Sequence, residues 1–174
     1  MSVNISSLQL HQPDFVEQVQ EILERTGVDG HNLILEITEG IFLNRSEGVT
    51  AKFNAINDLG VQFHIDDFGT GYSSLSYVRD FPITTIKIDR SFIQNLDTDS
   101  NGDIVRAIIN MAHNLRQNAI AEGIETKAQL EYLKGAYCEA GQGYLLGRPQ
   151  SVGEVEKLLR SRQRNATSVP LKQR

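Results

Sequence analysis

Short runs of Val, Ile and Leu recur along the chain at residues 3–5, 33–37, 61–65, 85–88, 119–120 and 144–146, each about the length of a strand. Between them apolar residues fall at helical spacing: Phe15, Val19, Ile22 and Leu23; then Val49, Phe53, Ile56 and Leu59; then Ile104, Val105, Ile108, Ala112 and Leu115. Each set buries one stripe of a helix. Punctuation falls where the pattern changes. Pro13 marks a first helical turn, Gly27 and Gly60 mark stops, and Ser151 with Glu154 and Thr126 with Gln129 read as capping boxes.

Strands that alternate with helices build a parallel sheet, because each parallel return requires a crossover and a helix supplies it. An open doubly wound sheet gathers function at one crevice. A closed barrel spreads it over the rim at the C-terminal ends of the strands. Here the strand ends carry Asn4, Glu36, Asp66 with Asp67, Lys87 and Glu122. A polar group at the same end of five successive strands favours a TIM-like (β/α) barrel. A full barrel takes ~250 residues in eight strand–helix units. The pattern accounts for six, so the expectation is a barrel lacking its first two, with residues 1–160 as the domain and 161–174 as a polar tail.

The rim residues suggest a chemistry. Asn4, Glu36, Asp66, Asp67 and Glu122 supply oxygen donors without thiolate or paired imidazole, which suits hard cations such as Mg²⁺ or Mn²⁺. Carboxylates brought together without a cation repel one another. Two cations there would polarise a phosphodiester and lower the pKa of an attacking water. Lys87 is placed to hold that water or offset charge in the transition state, and Glu122 to take its proton. Adjacent Asp66 and Asp67 reach the same rim only where the strand breaks, a break expected from Gly69 and Gly71. Simpler roles exist for several residues: a salt bridge for Lys87 with Asp89, helix-start carboxylates for Glu39 and Glu125, and core packing for His64 and His113. Asp97, Asp99, Asn101 and Gly102 open like a calcium loop, but its twelfth position is Ile108, so the segment reads as a loop entering a helix.

Composition narrows the picture further. The formal charge of −5 excludes a broad electrostatic surface for DNA or RNA, so an anionic substrate must be drawn by bound cations. The single Cys138 leaves no disulfide framework and no thiolate metal site, which points to a reducing, cytoplasmic setting. No apolar run approaches the ~20 residues of a membrane span.

The segments Glu36-Ile37-Thr38-Glu39, Asp66-Asp67-Phe68-Gly69-Thr70-Gly71, Lys87-Ile88-Asp89-Arg90-Ser91-Phe92, Ala121-Glu122-Gly123-Ile124-Glu125 and Gln142-Gly143-Tyr144 resemble, in order and spacing, the motifs of EAL-type cyclic di-GMP phosphodiesterases. The resemblance extends from Val3 to Pro149. It implies metal-dependent hydrolysis of cyclic di-GMP to linear pGpG in bacterial signalling, with two Mg²⁺ or Mn²⁺ ions per site. Asn4, Glu36 and Asp66 would hold one ion, and Asp66 would bridge to a second held with Asp67 and Glu122. Glu122 would be the general base, Lys87 would position the water, Gln142 would lie at the site, and Glu39 would brace the loop 67–74 that often joins a homodimer interface. Glu125 is a further supporting residue. The Glu-Ala-Leu segment itself, with its metal ligand, has no counterpart in the sequence, so the chain alone is expected to be impaired. A cyclic di-GMP-binding or protein-interaction module without catalysis is the alternative. Tyr137 departs from the family, which commonly has Gly before Cys138, and local repacking is the expected consequence.

Overall fold

The computed structural model describes residues 1–43, 47–71, 75–96 and 99–166. Six strands form one sheet in the order β1-β2-β3-β4-β5-β6, all parallel. They are β1 (Ser2–Asn4), β2 (Ile34–Thr38), β3 (Gln62–Phe68), β4 (Ile83–Ile88), β5 (Asn118–Ala121) and β6 (Ala140–Gly141). The sheet curls into a half-barrel of the TIM-like class. Among the described residues β1 and β6 do not pair with each other, so each ends the sheet with a free edge.

The helices are α1 (Ser7–His11), α2 (Phe15–Thr26), α3 (Glu47–Asp58), α4 (Leu75–Asp80), α5 (Arg90–Gln94), α6 (Asp99–Asn114), α7 (Lys127–Gly135) and α8 (Val152–Ala166). Alternation along the strands decides what packs on them. Leu35, Ile37, Phe63, Ile65, Ile86, Ile88, Ala119 and Ala121 are buried against the helical layer. Phe53 of α3 meets Phe63 with ring centroids 4.5 Å apart and Phe81 at 4.8 Å, a tilted aromatic cluster that fastens α3 to β3. The intervening positions, Glu36, His64, Asp66, Thr85 and Lys87, face the other way and line the concave side. No described helix is long and apolar enough to cross a membrane.

Several expectations are corrected. Residues 144–146 form a turn, and the sixth strand is the two-residue pair Ala140–Gly141, which is too short to leave a pattern. Pro13 lies in the turn before α2, whose N-cap is Asp14. Helix α1 was not anticipated, although Ser6 and Gln9 form its complete capping box. Lys52 of α3 reaches across to the carbonyls of Leu10 and Gln12 and closes the C-terminal end of α1. Ile22 and Ile104 are exposed despite their helical spacing. His113 is no core residue: its Nε2 lies 2.7 Å from Glu139 Oε1, at the surface. Helix α8 runs on to Ala166. The segment opening like a calcium loop is helical from Asp99, while Asp97 lies outside the described residues.

The Tyr137 departure has a local reason. Its φ is +61°, a conformation that favours glycine, and its ring is exposed. The next residue, Cys138, is half-buried, and that desolvation pushes its thiol pKa up to about 11 and keeps it protonated.

Candidate active site

Strand register assembles the rim. Asn4 lies beside Glu36, and Thr38 beside Asp66. Glu122 follows β5 directly, its backbone N–H donating to the Ile88 carbonyl at 3.1 Å. Gln142 follows β6 and is tied to the end of β5 and the loop after it: its N–H donates to the Ala121 carbonyl at 2.8 Å, and its carbonyl accepts from the Ile124 N–H at 3.0 Å. This junction admits only glycine next. A Cβ on Gly143 would lie 2.2 Å from both the backbone N and O of Ile124.

Lys87 is the centre of the constellation. Its ammonium lies 2.9 Å from Glu36 Oε2, 2.8 Å from Asp66 Oδ1 and 2.7 Å from Glu122 Oε1, with its side chain 5% exposed. Burial by itself would favour the neutral amine, but the Asp66, Glu122 and Glu36 carboxylates outweigh it and hold the ammonium charged far above its ordinary range. The alternative pairing of Lys87 with Asp89 does not form. Asp89 instead caps α5, accepting from the backbone N–H of Ser91 at 2.9 Å. Gln142 Nε2 donates to Glu122 Oε1 at 2.8 Å, so the carboxylate is held by an amide and an ammonium together.

The break that turns Asp67 toward the rim is at Asp67 itself. Its φ is +52°, and the β3–β4 register shifts between Ile65 and Phe68. Strand alternation is interrupted there, and Asp66, Asp67 and Glu122 each present a carboxylate oxygen within 4.8 Å of the others. Burial, with the charges of Asp66 and Asp89 adding to it, raises the pKa of Asp67, and burial raises that of Glu122 against the pull of Lys87. Three carboxylates thus converge on one ammonium, with the Asp67 carboxylate close to two of them. The excess negative charge and the all-oxygen donor set fit a divalent cation.

The remaining expected residues are placed as follows. Glu39 is buried, and its Oε1 accepts from the backbone N–H of Gly69 at 2.6 Å, joining the end of β2 to the loop after Asp67. Residues 72–74 of that loop lie outside the described residues. Asn4 is exposed on β1, next to Glu36 but outside the hydrogen-bonded cluster. Glu125 stands one residue before Thr126, the N-cap of α7, so it lies at the start of that helix but outside its first turn, and it lines a neighbouring cavity of about 460 Å³. His64 is buried on the concave side, and desolvation lowers its pKa, keeping the imidazole neutral. The cavity beside Glu122 is also lined by Arg90, Gln142, Tyr144 and Arg148, and the Arg148 guanidinium sits 4.9 Å from the Tyr144 ring centroid. The two arginines were missed. Arg90 follows the end of β4 almost directly, so the rule that polar residues just after strands carry function would have found it.

Residues 1–149 match the family model described as the EAL domain. The chain belongs to the EAL domain family. It is 38% identical over 162 residues to the cyclic di-GMP phosphodiesterase NbdA of Pseudomonas aeruginosa, covering 92% of this chain and 21% of NbdA. It is 36% identical over 156 residues to the oxygen sensor protein DosP of Escherichia coli, covering 89% of this chain and 20% of DosP. The chain thus spans about a fifth of the length of these curated relatives. Among solved structures, the MucR phosphodiesterase in complex with cyclic di-GMP superposes with a TM-score of 0.84 at 39% identity, covering 88% of this chain and 63% of that one. The EAL domain of Mycobacterium smegmatis DcpA superposes at 0.87 with 37% identity, covering 92% and 72%.

Proposed function

We propose that these residues belong to the catalytic domain of a cyclic di-GMP phosphodiesterase, which hydrolyses one phosphodiester of the cyclic dinucleotide to give linear pGpG. The observation that carries this reading is the Lys87 ammonium bridging Glu36, Asp66 and Glu122, with Asp67 alongside. Two Mg²⁺ or Mn²⁺ ions held by Asn4, Glu36, Asp66, Asp67 and Glu122 would supply Lewis acidity and an acidified water. Glu122 takes the proton from the attacking water, and the Gln142 amide keeps its carboxylate aimed inward. Lys87 offsets the negative charge that builds on the phosphoryl oxygens as the P–O ester bond breaks. Glu39 steadies the loop that follows Asp67. A homodimer through residues 67–74 and a cytoplasmic location, where the dinucleotide would be met, belong to the same reading.

The free edges of β1 and β6 leave the concave side open, so residues 1–174 by themselves turn over slowly. The test is hydrolysis of cyclic di-GMP with Mg²⁺, Mn²⁺ or EDTA. It compares residues 1–174 alone with the same residues joined behind the part of the MucR EAL domain that they do not cover, each with a Glu122→Gln control. Metal-dependent turnover in the joined protein, lost in the control, supports a phosphodiesterase. Binding without turnover in either form would make the chain a cyclic di-GMP receptor instead.

A further inference from the structure

Helices α1, α7 and α8 each begin just after a Ser or Thr that is followed three residues later by Gln or Glu. Gln9 and Glu154 are exposed, and their side chains bond back to Ser6 and Ser151. Gln129 in α7 is different. It is buried, and its one amide serves two segments that lie 36 residues apart. Its Oε1 accepts from the backbone N–H groups of Glu125 at 2.8 Å and Thr126 at 3.0 Å, while its Nε2 donates to the Ile93 carbonyl of α5 at 3.0 Å. A glutamate would cap α7 at least as well, because Glu completes a capping box and its charge suits a helix N-terminus. What the amide adds is a donor, and that donor reaches another element.

The two segments so joined are walls of the cavity beside Glu122. Glu125 comes from the loop after β5, and Arg90 opens α5 one turn before Ile93. Nearer the rim the same two segments touch directly: a Cβ on Gly123 would lie 2.6 Å from the Cβ of Arg90. The seam is therefore fixed at two points, by bare backbone at Gly123 and by an amide strut at Gln129. The Ile93 carbonyl also accepts from the Asn95 N–H, so the strut governs spacing rather than rescuing an orphaned polar group. Gln129 itself does not line the cavity. Arg90 does, and with Arg148 it brings positive charge to a rim that is otherwise acidic.

We propose that Gln129 is a positioning residue that sets the width of this cavity, and so the fit of Arg90 and Glu125 to the part of the dinucleotide beyond the bond that is cut. This rests on the phosphodiesterase reading above. Misplacement by about 1 Å, even from a substitution far from the chemistry, costs up to about 100-fold. The cap and the strut separate by substitution: Gln129→Glu keeps an acceptor for Glu125 and Thr126 but sets an oxygen against the Ile93 carbonyl, whereas Gln129→Ala removes both.

The experiment uses the joined protein and these two variants. It records KM and kcat for cyclic di-GMP with Mn²⁺, calorimetric affinity for cyclic di-GMP in EDTA, melting temperature in EDTA, and hydrogen exchange at the Glu125 and Thr126 amides. For Gln129→Glu the expected result is a KM about tenfold higher, a matching loss of affinity, and an unchanged kcat, because the chemistry around Lys87 is untouched. Its melting temperature and amide protection should stay at wild-type values. Mild acidification should narrow the KM difference, since the introduced carboxyl, once protonated, can donate to Ile93 as the amide does. Gln129→Ala should raise KM and also lose protection at both amides. Wild-type KM and affinity in Gln129→Glu would overturn the inference, leaving Gln129 as a helix cap alone. A fall in kcat that tracks a fall in melting temperature would also overturn it, as general damage to the fold. If the wild type binds cyclic di-GMP without turnover, the phosphodiesterase reading fails, and this one is then decided by the affinities; if it does neither, both fall.

Discussion

The two faces of β2, β3 and β4 differ as much as any two regions of the molecule, although their residues alternate in one chain. Leu35, Ile37, Phe63, Ile65, Ile86 and Ile88 point outward, are nearly or wholly buried, and pack on helices in regular strand geometry. Glu36, Asp66 and Lys87 point inward and are also largely shielded, yet they hold like charges close together, and the strand that carries Asp66 bulges beside it. The outer face stabilises the fold through apolar burial, about 25 cal/mol for each Å² removed from water. The inner face spends stability on repulsion that one ammonium offsets only in part. The architecture is thus set by one face, and the other is available for chemistry that works against stability.

Substitutions on the two faces should therefore separate stability from activity. Phe63→Ala, which empties the space against Phe53, should destabilise the protein by about 4 kcal/mol, read as a fall in denaturant midpoint with the Mn²⁺-dependence of any remaining folded protein unchanged. Glu122→Gln should do the reverse. Hydrolysis should fall by about 10³-fold, within the range for loss of a general base, with a melting temperature in EDTA equal to the wild type or higher. Lys87→Met strikes both properties. Three shielded carboxylates lose their counter-charge, so the metal-free protein should lose about 3 kcal/mol, much of it recovered on adding Mn²⁺, which can replace the missing positive charge.

Acid should sharpen the same contrast. The folded metal-free protein binds protons on Asp67 and Glu122 more tightly than the unfolded chain, because both groups have raised pKa values. Their penalty is fully present above those raised values and is relieved as pH falls through them. Glu139, held below its ordinary value by the Ala119 amide and His113 against the opposing effect of burial, acts oppositely: its contribution is present above the ordinary carboxylate range and lost on further acidification. Melting curves in EDTA should therefore show the rim gaining stability on mild acidification. In Mn²⁺ that gain should vanish, because ion binding requires ionised ligands. The smallest effect lies away from both faces. Tyr137→Gly relieves a left-handed backbone at an exposed position and should stabilise by about 0.5 to 1 kcal/mol in thermal unfolding.

The contrast also explains what could be read in the sequence. The outer face follows periodicity, so the first five strands and the helices around Phe15, Phe53 and Val105 were legible from spacing alone. The rim was legible because Glu36, Asp66, Lys87 and Glu122 all stand at or just past the same ends of strands. What escaped depends on local backbone geometry. Strand β6 has only Ala140 and Gly141, and the more apolar residues 144–146 drew the strand assignment although they turn over the neighbouring cavity. Strand β3 does end just before Gly69, whose φ is +98°, but the left-handed turn already begins at Asp67, where an aspartate rather than a glycine adopts it. Asp89 looked like a partner for Lys87 because their spacing suits one strand face, but β4 ends at Ile88 and Asp89 turns away to cap α5. Helix α1 was within reach, since Ser6 and Gln9 spell its capping box.

The most direct test of the central claim is anomalous diffraction at the manganese edge from crystals of the joined protein grown with Mn²⁺. Two peaks among Asn4, Glu36, Asp66, Asp67 and Glu122, one of them between Asp66, Asp67 and Glu122, is the result this account predicts. A map without peaks there, with Lys87 still bridging Glu36, Asp66 and Glu122, would contradict it and leave the rim as a self-neutralised ion-pair network.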